Sequence, residues 1–179
     1  MKRVVQLASV SMVLALLMAL PARAQTPVSP PVDASIGYQL LHLPDETFPF
    51  GVNFDVSGAL NSGWRAVGEF GFATDQQNEP GVSGDLKHYH FGAGPRVVGS
   101  MRYVQPFAQL LAGAVHTRAN LNTTNDNDWA FMLQPGAGIN IPAGNVVNIF
   151  GQADYRRAFF KEEGENEFRV SFGVRFAIR

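Results

Sequence analysis

The sequence predicts an all-β fold, an eight-stranded antiparallel up-and-down transmembrane β-barrel. Three observations predict it. The chain opens with the pattern of an export signal. Apolar and polar residues then alternate with period two along most of the remaining length. Short links between the alternating segments take turns with longer, polar ones.

The export signal comes first. Lys2 and Arg3 precede an apolar run from Leu7 to Leu20. Pro21 ends the run, and Ala22-Arg23-Ala24 supplies the small–x–small pattern of a cleavage site. Residues 1–24 therefore read as a signal peptide cleaved after Ala24. The run is short for a membrane span of about 20 residues. Residues 25–33, rich in proline, read as a leader outside the sheet.

Composition narrows the class. Cleavage leaves 155 of the 179 residues, enough for one domain, here residues 34–179. Loss of Lys2, Arg3 and Arg23 leaves 11 of the 14 basic residues against 15 acidic ones, a net charge of −4. Such a chain has no electrostatic basis for binding nucleic acid. There is no cysteine, so neither a disulfide nor a lipid-bearing Cys at the cleavage site is available. No later apolar stretch reaches the length of a transmembrane helix.

Each strand is justified by its alternation. The first, near 34–42, sets Ile36, Tyr38 and Leu40 against Ser35, Gly37 and Gln39. The second sets Phe50, Val52, Phe54 and Val56 against Gly51, Asn53, Asp55 and Ser57. The third, 64–72, has Trp64, Ala66, Phe70 and Phe72 opposite Arg65, Val67, Glu69 and Gly71. The fourth, near 87–97, has Tyr89, Phe91 and Ala93 opposite His88, His90, Gly92, Gly94 and Arg96. The sixth places Phe131, Leu133, Ala137 and Ile139 against Met132, Gln134, Gly136 and Asn140. The seventh places Val147, Ile149, Ala153 and Tyr155 against Asn148, Gln152, Asp154 and Arg156. In the eighth, even-numbered residues from Phe168 to Ile178 are apolar, and Arg169, Ser171, Gly173, Arg175 and Ala177 oppose them. A helix cannot sort these residues and a strand does.

The fifth segment, 102–116, is apolar on both faces. A two-residue Gly99-Ser100 turn would pair Val98 with Met101. Arg96 would then face Tyr103, Gly92 would face Phe107 and His90 would face Gln109. Tyr103, Gln105, Phe107, Gln109 and Gly113 join the polar face in this register, with a ring over a facing glycine. The links at 60–62, 98–101 and 142–145 are short. Those at 74–86, 117–128 and 157–166 are longer and polar, and 43–49 is intermediate.

A soluble lipocalin-type barrel would turn the apolar face inward. Three features favour apolar-out. The polar face carries charges together with many glycines, as a narrow lumen requires. Trp64, Phe72, Tyr89, Trp129, Tyr155 and Phe176 sit at strand ends on the apolar face, like interfacial girdles. The signal directs export. Strand eight should then pair with strand one, because hydrocarbon leaves no water for an open edge.

Particular runs carry a family resemblance. Phe91-Gly92-Ala93-Gly94-Pro95-Arg96 and Val104-Gln105-Pro106-Phe107-Ala108-Gln109 lead on to Leu110-Leu111-Ala112-Gly113. Gly136-Ala137-Gly138-Ile139-Asn140-Ile141, Gln152-Ala153-Asp154-Tyr155 and the segment Phe168 to Val174 follow. Over residues 34–179 the chain resembles the eight-stranded bacterial outer-membrane β-barrel domain family, the OmpA/OmpX-like, porin-family proteins. The resemblance implies residence in the cell outer membrane and contact with its lipid. It also implies passage through periplasmic chaperones and the barrel-insertion machinery. Such proteins usually finish on an aromatic residue, whereas this chain reads Phe176-Ala177-Ile178-Arg179.

The candidate chemistry is structural. Asp154, Arg156 and Arg169, near the outer ends of strands seven and eight, read as a lumen ion-pair network. Asp55, Arg65, Arg96 and Arg175 form a second group nearer the periplasm, and Glu69 shares the same face. Arg65→Leu should weaken folding by stranding an acidic partner. His88 and His90 could hold a transition metal with a third ligand, but read as lumen hydrogen-bonding groups. His42 and His116 fall near loops, with no nucleophile at a recognisable spacing. Asp126 and Asp128 in the 117–128 link could bind Ca²⁺ weakly, and a solvated loop is the plainer reading. Eight strands enclose a lumen that side chains just fill, and Phe107, Phe150 and the arginines occupy it, so no open pore is expected.

The expectation is a monomeric, non-enzymatic outer-membrane protein with a structural or surface-interaction role, a polar lumen plug and no cofactor. The alternatives are a soluble lipocalin-like carrier of a small apolar ligand and an outer-membrane lipid-modifying enzyme.

Overall fold

A computed structural model describes residues 31–43, 47–61, 63–79, 82–121, 124–160 and 164–178. The export signal over 1–24 and the leader up to residue 30 lie outside them. Eight long strands follow in order: β1 Val32–His42, β2 Phe50–Ala59, β3 Trp64–Glu79 and β4 Val82–Val98, then β5 Gln105–Leu121, β6 Thr124–Pro142, β7 Val147–Phe159 and β8 Gly164–Ile178. Each pairs antiparallel with its sequence neighbours. β8 also pairs with β1, from Val32↔Ile178 to His42↔Phe168, which closes the barrel.

The alternation read from the sequence is the alternation of the walls. Ile36, Phe54, Phe70, Phe91, Phe131 and Phe172 are exposed on the outside. Asp55, Arg65, Glu69, His90, Arg96 and Arg169 are buried inside. Apolar-out is therefore the sense of this barrel, which excludes the lipocalin-like alternative.

Two prolines interrupt the ladder where an N–H is missing. Pro95 pairs with Ala66 on one side, but β4–β5 pairing skips from Ala93↔Ala112 to Arg96↔Gln109. Pro135 pairs with Leu110, while β6–β7 pairing skips from Leu133↔Arg157 to Gly136↔Asp154. Both rings face outward, where no side chain has to fit around them.

The structure corrects the connections. The links expected at 74–86 and 117–128 are mostly sheet. β3 and β4 stay paired to Glu79↔Val82, and β5 and β6 to Leu121↔Thr124. Period two is legible only where one face is apolar. Beyond the apolar belt the backbone ladder continues without that signal. The link expected at 157–166 likewise shortens, with Phe159 paired to Gly164. β1 begins at Val32, so Val32 and Asp33, the last two residues assigned to the leader, belong to the sheet.

The β4–β5 turn also moves. Val98 pairs with Phe107, not Met101. Gly99 N–H donates to the Pro106 carbonyl at 2.7 Å, and Met101 N–H to the Val104 carbonyl at 3.0 Å. The two-residue tip is thus Arg102-Tyr103, and Tyr103 is exposed, not in the lumen. Arg96 faces Gln109, Gly92 faces Gly113 and His90 faces Val115. The slip is an even number of residues, so Phe107, Gln109 and Gly113 keep their inward orientation. At the neighbouring β2–β3 turn, Gly63 has φ +91°, a conformation that suits glycine.

Candidate functional site: the charged lumen

Alternation brings the predicted charges together in two connected layers. In the layer nearer the short turns, Asp55 accepts from Arg96 Nη1 at 3.2 Å and Nη2 at 3.1 Å, and from Arg175 Nη2 at 2.9 Å. Ser35 Oγ donates to the same carboxylate at 2.7 Å. Arg65 Nη2 lies 2.8 Å from Asp33 Oδ2, and its Nε donates to Ser57 at 2.8 Å. The Arg175 guanidinium is held between the rings of Phe107 and Phe150, 5.1 and 5.2 Å from their centroids.

The second layer centres on Arg169. Its Nε and Nη2 donate to Asp154 Oδ2 at 2.9 and 2.7 Å, and Nη2 reaches Glu69 at 2.8–2.9 Å. Nη1 donates to Gln39 at 3.2 Å and to His90 Nε2 at 2.9 Å. Arg156 donates to Gln134 at 2.8 Å, Glu167 at 2.7 Å and His88 Nε2 at 3.0 Å. Gln109 joins the layers, accepting from Arg96 Nε at 2.9 Å and donating to Asp154 at 3.3 Å. Removing one partner from such a buried network leaves an uncompensated charge, whose cost is large.

Sequence reasoning missed several participants, Asp33, Glu167, Gln39 and Gln134 among them. Asp33 was assigned to the leader, and Glu167 lay beside an expected loop. Gln39 and Gln134 were placed on the inner face without a partner. Their signal was parity: each lies an even number of residues from a charge already placed in the lumen on its own strand or on a residue facing one.

Glycines make room for the large inward groups. A Cβ on Gly138 would lie 2.6 Å from Phe107 Cζ, and one on Gly37 would lie 2.7 Å from Phe150 Cζ. One on Gly71 would collide with the His90 ring. The expected ring over glycine thus exists, with Gly138, not Gly92, beneath Phe107.

The lumen is not wholly polar, which corrects the expected plug. Toward the long hairpins, Val115, Ala130, Met132 and Ala158 cluster with Phe160 against them. Across from this, Leu41, Phe48 and Ala73 pack together, with Leu43 beside them. Phe48 comes from a two-residue strand, Thr47–Phe48, that folds back on the end of β1. It is fully buried and lies 5.9 Å from the His88 ring. Apolar side chains line this end of the lumen above the charged layers.

Among the described residues, His88 has an arrangement that resembles catalytic machinery, with Thr117 Oγ1 3.4 Å from Nδ1 and Glu167 3.5 Å from Nε2. Arginine only donates, so Arg156 fixes the His88 lone pair on Nε2 and the ring proton on Nδ1. The ring therefore offers Thr117 a proton and cannot take one from it. Among the described residues no three His, Cys, Asp or Glu side chains converge on a point that could hold a metal ion. The Asp126 side chain lies outside the described residues. Asp128 Oδ1 accepts from Trp129 N–H at 3.0 Å.

The strand-end aromatics fall at two levels. Trp64 and Phe176 lie near the short turns. Near the long hairpins, rings from four adjacent strands stand side by side: Phe72 to Tyr89 at 4.9 Å, Tyr89 to His116 at 6.2 Å, and His116 to Trp129 at 4.4 Å. Tyr155 is at this level on β7, its hydroxyl donating to Asn166 at 2.6 Å. His116, expected near a loop, is part of the row.

A closed apolar-out barrel with a filled, charged lumen defines an integral membrane β-barrel protein. The chain belongs to the outer membrane protein beta-barrel domain family, whose model matches residues 12–176. Its fold is similar to that of Neisserial surface protein A, with TM-score 0.66 and 14% identity over 82% of this chain and 96% of that one. It is also similar to Ail, the attachment invasion locus protein of Yersinia pestis, in complex with the heparin analogue sucrose octasulfate. There the TM-score is 0.55, with 20% identity over 81% of this chain and 96% of that one. No curated protein matches the chain.

Proposed function

We propose that this is an exported, monomeric, non-enzymatic protein of the cell outer membrane that displays a contact surface outside the cell. One observation carries the reading: the barrel is filled, yet its sheet extends well past the apolar belt. β3 runs seven residues beyond Phe72 and β6 begins five residues before Trp129. Hairpins that neither cross lipid nor line a channel are available for contact. The lumen network then acts as internal bracing, and Trp64, Phe72, Tyr89, Trp129, Tyr155 and Phe176 act as interfacial anchors. By the arrangement of bacterial barrels, the short turns face the periplasm and the long hairpins face outward. Residues 1–24 supply the export signal. Membrane lipid is the lateral partner, and periplasmic chaperones and the insertion machinery are the assembly partners.

The test is cell fractionation with surface digestion. The protein should partition with outer membranes and migrate faster on a denaturing gel when unheated. Proteinase K on intact cells should cut an epitope inserted between Pro80 and Gly81 but spare one inserted after Gly144. Recovery in the soluble periplasm, or the reverse cutting pattern, would overturn the reading.

A further inference from the structure

We propose that the outer end of β6 is a docking edge for an extended, basic segment of another protein, which adds to the sheet as a further strand. The proposal rests on the reading that the long hairpins face away from the cell, and it names what they would contact.

The ladders on the two sides of β6 end at different points. β5 and β6 stay paired up to Leu121↔Thr124. β6 and β7 pair only from Phe131↔Phe159 downward, and Phe159↔Gly164 is the last pair of the β7–β8 hairpin. Among the described residues, positions 124–130 of β6 therefore have a neighbouring strand on the β5 side alone. On the other flank, positions 75–79 of β3 pair with β4, while the β2–β3 ladder stops at Phe50↔Thr74. A four-stranded sheet thus stands beyond the closed barrel, with one edge on β3 and a longer one on β6. At about 3.3 Å per residue the β6 edge runs for about 23 Å.

Two contacts fix which way its backbone points. His116 Nδ1 on β5 donates to the Asp128 carbonyl at 3.2 Å, so that carbonyl turns toward β5. The N–H of the same peptide unit, that of Trp129, then points away from β5, where Asp128 Oδ1 accepts it at 3.0 Å. The N–H and C=O of one residue leave an antiparallel strand on the same side, and the side alternates from residue to residue. Asn127 and Asn125 therefore turn both backbone groups toward the open side. Natural edges are blunted by lysine, proline or a bulge. Positions 124–130 contain no lysine and no proline, and the β5–β6 register runs without a bulge from Gln105↔Asn140 to Leu121↔Thr124.

Charge selects the occupant. Positions 124–130 carry Asp126 and Asp128 and no Lys or Arg, and positions 75–79 carry Asp75 and Glu79 and no Lys or Arg. Joining two copies of this chain through either edge sets acid beside acid, which destabilises a strand pair. A strand bearing Lys or Arg is complementary. Main-chain bonds then give the affinity and charge gives the selectivity.

The probe is a fluorescently labelled heptapeptide with blocked ends, Thr-Lys-Val-Lys-Val-Lys-Thr. Titrated with the full chain folded in dodecyl maltoside, its anisotropy should rise to saturation. The affinity should fall at least tenfold when glutamates replace the lysines. It should fall as far when the backbone nitrogens of the lysines and valines are methylated, which keeps every charge and removes the strand-pairing N–H groups. Asn127→Pro deletes an edge N–H and leaves the β5–β6 ladder intact. N127P should also bind at least tenfold more weakly while keeping its heat-modifiable migration. Absence of saturable binding, or equal binding of the methylated peptide, overturns the proposal, and neither result needs a variant to fold. Equal binding by a folded N127P overturns it too. Dimers of the wild type in sedimentation that N127P abolishes would give the edge to a second copy and overturn it as well. Binding in detergent does not depend on which way the protein lies in the membrane. Reversed cutting by protease on cells would therefore sink the outward reading alone, and a failed titration would sink the docking edge alone.

Discussion

Arg169 on β8 and Glu69 on β3, a hundred residues apart in the chain, meet inside the barrel at 2.8 Å. Both are fully buried, and the same guanidinium also holds Asp154 at 2.7 Å. One side chain thus ties three strands across the lumen.

Arg169→Met should strand two buried carboxylates. The expected loss is about 3–5 kcal/mol, the usual range for breaking a buried pair from one side. The triple variant R169M/E69Q/D154N should lose less than R169M alone, because no charge is left unpaired. Urea unfolding in detergent micelles measures both. A single variant as stable as wild type would show that the network contributes nothing.

Two glycines three residues apart on β3, Gly68 and Gly71, should behave in opposite ways. Gly71→Ala forces the His90 ring aside, and that ring is already held by Arg169. The cost should be about 1–3 kcal/mol, as for other overpacked interiors. Gly68 points outward, and a Cβ there meets nothing within 4 Å. Gly68→Ala should be neutral or stabilise by up to about 1 kcal/mol through the unfolded chain. The pair of unfolding midpoints checks the assignment of faces at one stroke.

The walls were legible in the sequence because lipid on one side and a crowded lumen on the other force strict alternation. The two charge layers followed from the same parity. Register was not legible where parity alone cannot set it. Gly99-Ser100 and Arg102-Tyr103 both make two-residue turns with identical faces, and only the Gly99–Pro106 and Met101–Val104 bonds decide between them. Phe48 was hidden for another reason: it enters the lumen from a link, where period two says nothing.

Arg65→Leu gains a named partner from this. Arg65 holds Asp33, the residue that belonged to the expected leader, and among the described residues Arg175 is the other guanidinium near it, at 3.7 Å. The substitution should destabilise, but by less than the about 3–5 kcal/mol of a fully buried pair, because Asp33 retains some exposure. Asp33→Asn in the R65L background should recover part of the loss. Thermal unfolding in detergent gives the comparison, and an unshifted midpoint in R65L would count against the pairing.

Phe48→Ala should separate sealing from bracing. Removing a fully buried ring should cost about 3–5 kcal/mol. It should not open a pore, because the Arg156 and Arg169 layer fills the lumen beneath it. Planar-bilayer recordings should therefore show no stepwise conductance in F48A despite a lowered unfolding midpoint. Sustained steps would mean that Phe48 alone closes the barrel.

The two tryptophans offer a direct reading of depth. Trp64 lies beside the β2–β3 turn and Trp129 in the ring row at the other end, 47% and 58% exposed on the outer face. If these ends mark the two bilayer interfaces, each indole should sit at headgroup level. Single-tryptophan variants W64F and W129F, reconstituted with lipids brominated at defined acyl positions, report each in turn. Both should be quenched strongly by bromines near the headgroup and weakly by bromines near the chain terminus. Strong deep quenching of either would move the apolar belt along the barrel. It would also place the Phe72–Tyr89–His116–Trp129 row inside the hydrocarbon.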